Sequence, residues 1–116
     1  MHRAATELKR LRAWRLSRQQ ARDARRRLTE KGDMEAAEQL LRHSIAYGHT
    51  RLVVRRLFLA QALGLVELSE YEPFCRFAIE QLEVNEIGAA LMDARNFVNR
   101  LDARGARACT LRSPSG

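Results

Sequence analysis

Cysteine, proline and glycine are all scarce in this chain, which holds two, two and six of them among 116 residues. Cys75 and Cys109 are too few to staple a small secreted scaffold, and they lack the paired spacing of a zinc site. They read as reduced thiols, and the expected compartment is the cytoplasm. Both prolines stand outside helix interiors, so long helix-compatible stretches run uninterrupted. No alternating apolar and polar run exists, which argues against half-buried strands. The most apolar stretch, Leu52–Val66, is too short for a bilayer span and carries Arg55 and Arg56 inside it. No apolar segment follows the N-terminal charges, so no secretory signal is expected. The Arg/Ala/Leu-rich start has the composition of a mitochondrial presequence, but a long helix containing Glu7 and Asp23 argues against one.

Catalytic motifs are missing too. There is no Gly-rich phosphate loop, no carboxylate pair flanking an apolar pocket, and no Ser or Cys with a base at recognisable spacing. His43 and Tyr47 share a helix face, His49 sits in a Gly-His-Thr turn, and Glu70 and Glu72 are more simply helix-start acids. The expectation is a non-enzymatic protein with no cofactor and no metal.

What the chain has is a split of charge. Residues 1–31 carry eleven Lys/Arg against three acids, residues 32–103 carry seven against eleven, and residues 104–116 add three more Arg. The formal net charge of +7 therefore belongs to two ends around a mildly acidic, apolar centre. Nineteen of the cations are Arg, with only Lys9 and Lys31 besides.

Periodicity predicts one all-α domain over residues 1–103, a compact bundle of four to five helices with a flexible basic tail at 104–116. A chain this long buries roughly 65% of its unfolded surface, enough for a thin core. A long basic first helix is predicted from Ala4 to Lys31, with Leu8, Leu11, Trp14, Ala21, Ala24 and Leu28 as its narrow apolar stripe. Gly32 ends it and Asp33 caps the second helix, which Gly48 ends. The third runs from a Thr50 cap to Leu63 and is apolar almost all round, so it is either the core helix or a seam between two chains. The fourth starts either at a Ser69/Glu72 capping box or at Pro73, and carries Phe74, Phe77, Ala78 and Leu82. The fifth is capped by Asn85 and repeats Ile87, Ala90, Leu91, Ala94, Phe97, Val98 and Leu101 over four turns.

Three kinds of binding remain open. Arg22, Arg25, Arg26 and Arg27 have the electrostatic footprint of a phosphate binder, yet no aromatic is interleaved among them to read bases. The plain alternative is a solvated face, or one paired with the acidic 67–86 stretch in cis or across a dimer. Insertion at a membrane surface needs a wider apolar side than the first helix offers. Gly32–Gly48 looks like one helix of a tetratricopeptide unit, but no second copy follows. Protein binding draws on more features: the surplus apolar circumference of the third helix, the Phe74/Phe77 pair, and steering charge around them. The candidate partner-binding or dimer residues are Leu52, Arg55, Arg56 and Leu59, on the outward side of the third helix, and Phe74 and Phe77, with Arg22, Arg25, Arg26 and Arg27 steering. The remaining alternatives are a nucleic-acid-binding regulator using the basic helix, or a generic helical adaptor subunit.

The layout as a whole resembles the QslA family of small quorum-sensing anti-activators of pseudomonads. The resemblance rests on Leu8-Lys9-Arg10-Leu11-Arg12-Ala13-Trp14, the Gly32-Asp33 helix start, the apolar Leu52–Val66 helix, the Phe74/Phe77 helix and a matching length. It implies a helical homodimer and negative regulator that binds the ligand-binding domain of a LuxR-type transcriptional activator and blocks its dimerisation and DNA binding.

Overall fold

A computed structural model describes residues 9–105 of the protein. The expected start at Ala4, the place of Leu8 and the fraying of the tail beyond Gly105 lie outside the described residues. The described residues form helices and connections only. They are α1 (helical at 9–13 among the described residues), α2 (Arg18–Lys31), α3 (Met34–Tyr47), α4 (Thr50–Ala62), α5 (Glu72–Glu80) and α6 (Val84–Ala103).

The single basic helix expected up to Lys31 is instead two, broken between Trp14 and Ser17. Ser17 restarts the chain as an N-cap, its hydroxyl accepting from the Gln20 N–H while the Gln20 side chain accepts from the Ser17 N–H. That reciprocal pair satisfies two of the amides every helix start leaves open. The break lets Trp14 turn inward, where it is 9% exposed and meets Tyr71 and Phe74 edge-on at 5.5 and 6.0 Å.

Gly32 and Gly48 end α2 and α3 in the left-handed region, at φ 62° and 69°, where a side chain would be strained. Asp33 caps α3 as expected, accepting from the Glu35 N–H. Two expected starts move by a residue or two, and the fourth helix takes the second of its two expected starts. His49 precedes α4, with Thr50 its first residue. Pro73 rather than Ser69 marks α5, because the Ser69 hydroxyl donates to Glu67 instead. Glu83 with Glu86 caps α6, which leaves Asn85 inside the first turn.

The core is built around α4. Val53, Val54, Leu57 and Ala60 are buried, and α3, α5 and α6 all pack on that helix while α2 packs on α3. From α3 come Ala36, Ala37, Leu40, Leu41 and Ile45. Small residues bring α2 close, with Ala24 and Ala36 wholly buried. Ser44 is the one buried polar residue among those described; its hydroxyl donates to the Leu40 carbonyl and accepts from Arg56.

Candidate functional site

Two surfaces collect the residues singled out from sequence, and they are different surfaces. Leu52, Arg55, Arg56 and Leu59 come together in a groove of about 370 Å³ between α2, α4 and α6. Phe74 and Phe77 line another, of about 220 Å³, between α5 and the α3–α4 turn.

The first groove combines an apolar floor with arginine walls. Leu52 and Leu59 are half-buried in it, joined by Leu28 of α2 and Phe97 of α6. They are therefore a concave lining and not the outward ridge of α4. Arg56 spans to α3, donating from Nη1 to the Leu40 carbonyl at 3.1 Å and to Ser44 Oγ at 2.6 Å. No carboxylate pairs with it among the described residues. Burial first, then Arg25 and Arg55, lower its pKa from the ordinary guanidinium value. Arg55 reaches Asp93 at 3.7 Å, and Arg100 lies over the Phe97 ring at 6.0 Å. Arg104 donates to the Thr29 carbonyl at 2.7 Å and ties α6 to the end of α2 beside the groove.

The second surface is apolar. Pro73, Phe74 and Phe77 of α5 face Ile45 and Val53 across the groove. Phe74 is half-buried through Trp14, while Phe77 stands 62% exposed. Nearby, Tyr47 is 47% exposed and carries Arg15 over its ring at 5.0 Å, with His43 and His49 as ring neighbours. His43 Nδ1 accepts the Leu16 N–H at 2.9 Å, so its proton is on Nε2. Burial chiefly, then Arg56, His49 and Arg25, hold its pKa below the usual imidazole value.

A third apolar surface was not singled out from sequence. Ala90, Ala94 and Leu101 of α6 are buried, yet Leu91 and Met92 are 52% and 53% exposed. Leu91 shares a groove with Phe58, Ala62 and Val98 along the α4–α6 seam. The signal was in the α6 repeat itself: its apolar stripe is wider than one neighbouring helix can cover. Conversely, the surplus expected on α4 is mostly used, since its apolar residues are buried or half-buried except Ala62.

The four steering arginines separate as well. Arg26 pairs with Asp23 at 3.3 Å. Arg27 is tied to Asp33 and Gln39, at 3.3 and 2.6 Å, and bridges α2 to α3. Arg22 and Arg25 have no carboxylate partner among the described residues. None of the four pairs with the acidic 67–86 stretch, so the pairing within one chain envisaged from sequence is not formed there. The acid that does reach back, Glu86, takes Arg51 of α4 at 2.9 Å.

Among the described residues no group of His, Cys, Asp and Glu could hold a metal ion, and no helix is long and apolar enough to cross a membrane. Among the described residues, fold and surfaces together define an all-helical bundle with an arginine-walled groove and exposed apolar faces at Phe77 and at Leu91. Compared with known protein families, with curated proteins and with solved structures, the chain matches none.

Proposed function

We propose that this chain is a non-enzymatic regulator that acts by protein contact, as a homodimer that captures a LuxR-type transcriptional activator. It would hold the activator's ligand-binding domain and prevent its dimerisation and DNA binding. Phe77 carries the protein-binding part of this reading: a phenylalanine 62% exposed beside Pro73 and Phe74 is the kind of aromatic anchor that interfaces bury. The partner class rests on the resemblance of layout alone. The Leu91/Phe58 seam offers a second apolar face, so self-association and capture need not compete for one surface. An interface of about 800 Å² per partner with two or three buried anchors supplies the several kcal/mol needed to shift an activator's dimer equilibrium. The net charge of +7 would speed encounter with an acidic partner.

The test is light scattering on the purified chain, alone and mixed with the ligand-binding domain of a LuxR-type activator. The expected results are a dimer alone and a stoichiometric complex in the mixture. Phe77→Ala should weaken capture at least tenfold with the fold intact. A lone monomer that captures no activator would refute the proposal.

A second reading has its own observation. Arg18, Arg22 and Arg25 recur at helical spacing along α2 without a carboxylate partner among the described residues, which suits a phosphate backbone. That reading requires duplex binding that falls steeply with salt and is lost in an Arg22→Gln/Arg25→Gln variant.

A further inference from the structure

We propose that the groove between α2, α4 and α6 is a binding site for a small amphiphilic carboxylate, an organic acid with an apolar chain. Its head would be held by Arg25, Arg56 and Arg100, and its chain would lie on Leu28, Leu52, Leu59 and Phe97. The inference does not rest on the protein-capture reading and uses a different surface from Phe77.

Charge is the first argument. Among the described residues, four arginines line the groove and Asp93 is the one acid beside them. Asp93 answers Arg55, at 3.7 Å, and leaves Arg25, Arg56 and Arg100 lining the same groove without a carboxylate partner among the described residues. Like charges gathered against an apolar wall repel one another, and an anion between them relieves that repulsion. Arg56 is the sharpest case, because it is half-buried and spends only Nη1 on protein acceptors, at the Leu40 carbonyl and Ser44 Oγ. Its Nε and Nη2 make no hydrogen bond among the described residues. The bond to Leu40 and Ser44 also fixes the guanidinium in place, which lowers the ordering cost of gripping a ligand. Burial first, and then the neighbouring Arg25 and Arg55, lower its pKa.

Shape is the second. At about 370 Å³ the groove falls within the range of small-molecule sites. Its floor is aliphatic and aromatic, so a bare inorganic anion would satisfy the arginines and leave that floor wet. A planar carboxylate matches the fork of a guanidinium, while an apolar tail matches the floor. A concave cleft between three helices is a poor fit for a duplex backbone, which needs charges on a ridge. Arg104, bonded to the Thr29 carbonyl, ties α6 to α2 beside the groove and keeps its walls in place.

The probe is octanoate, with 1-octanol as its uncharged counterpart and inorganic phosphate as the anion without a tail. Amide NMR titrations of the full chain at low salt should show octanoate shifting Thr29, Leu59 and Phe97, with Kd at or below about 1 mM. Octanol and phosphate should each bind at least tenfold more weakly. Arg56→Gln also removes a helix-to-helix anchor, so the deciding variant is Arg25→Gln/Arg100→Gln, which breaks no ion pair or side-chain hydrogen bond among the described residues and removes only the Arg100 contact over the Phe97 ring. It should raise the octanoate Kd at least tenfold, while Arg76→Gln on α5 leaves it unchanged. Equal binding of octanol, equal binding of phosphate, no effect of the Arg25/Arg100 pair, or shifts confined to a separate pocket that Leu57, Leu68, Cys75 and Ile79 line between α4 and α5 would each overturn the assignment.

Discussion

Lowering the pH should release the segment from Trp14 to Ser17, and His43 is the reason. Its Nδ1 accepts the Leu16 N–H at 2.9 Å, where the chain has left α1 and not yet entered α2. A protonated imidazole cannot accept that bond, so the amide would be left without a partner and the cation would sit near Arg56 and Arg25. Leaving a partly buried donor unsatisfied costs about 1–3 kcal/mol. His43 has a lower pKa in the folded chain than in the unfolded chain, so the unfolded state binds the extra proton more readily. The stability it contributes is therefore complete above about pH 6.5 and is lost as pH falls below that value towards the folded pKa. The molecule carries its own reporter, because Trp14 is the chain's single tryptophan and is 9% exposed against Tyr71 and Phe74. Its emission should move to longer wavelength on acidification from pH 8 to pH 5, before global unfolding seen by circular dichroism. His43→Ala should shift the emission at pH 8 and abolish the pH response. Emission that stays constant over this range in the wild-type chain, with the helices intact, would refute the reasoning.

Other perturbations have expected outcomes. Tyr71 is 1% exposed; its hydroxyl donates to Glu38 and accepts from Arg42, so Tyr71→Phe should cost about 1.5–3 kcal/mol and lower Tm by roughly 4–8 °C per kcal/mol. Burial first, then the Glu38 bond, push its pKa up to about 12, so its support for the fold holds below about pH 10 and is lost as pH rises through 12. Burial pushes the Cys75 thiol up to about 11, and in a Cys109→Ser background it should react with a thiol reagent at pH 8 far more slowly than in denaturant. Ser17→Ala should destabilise α2 by about 1 kcal/mol, read as faster amide exchange at its first turn.

Much of this architecture could be read from residue patterns because each cue was local. Gly32, Asp33 and Gly48 act within one turn of where they stand, and they set the ends of α2 and α3 as expected. The interruption at Trp14–Ser17 was also locally encoded, as Ser17-x-x-Gln20, but a continuing run of arginines and alanines is equally compatible with helix. What settles the matter is distant, namely the Tyr71 and Phe74 rings that receive Trp14 and the His43 nitrogen that receives the Leu16 amide. The candidate site was legible in the same uneven way. Spacing along α4 put Leu52, Arg55, Arg56 and Leu59 on one side of that helix. It could not show that α2 and α6 rise on either side and turn the strip into a cleft. Nor could it show that Arg27 is committed to Asp33 and Gln39 while Arg25 is not.

The central position of α4 has a consequence for how the chain tolerates change. Three helices lean on this one strut, so a substitution at Val54 or Ala60, both wholly enclosed, alters more than one seating at once. The outlying helices are freer: α6 rests chiefly along α4 and is tied by Arg104 to the end of α2, so its outer side can be rewritten with little risk to the remainder. New contacts can therefore be engineered at the rim while the spine stays fixed.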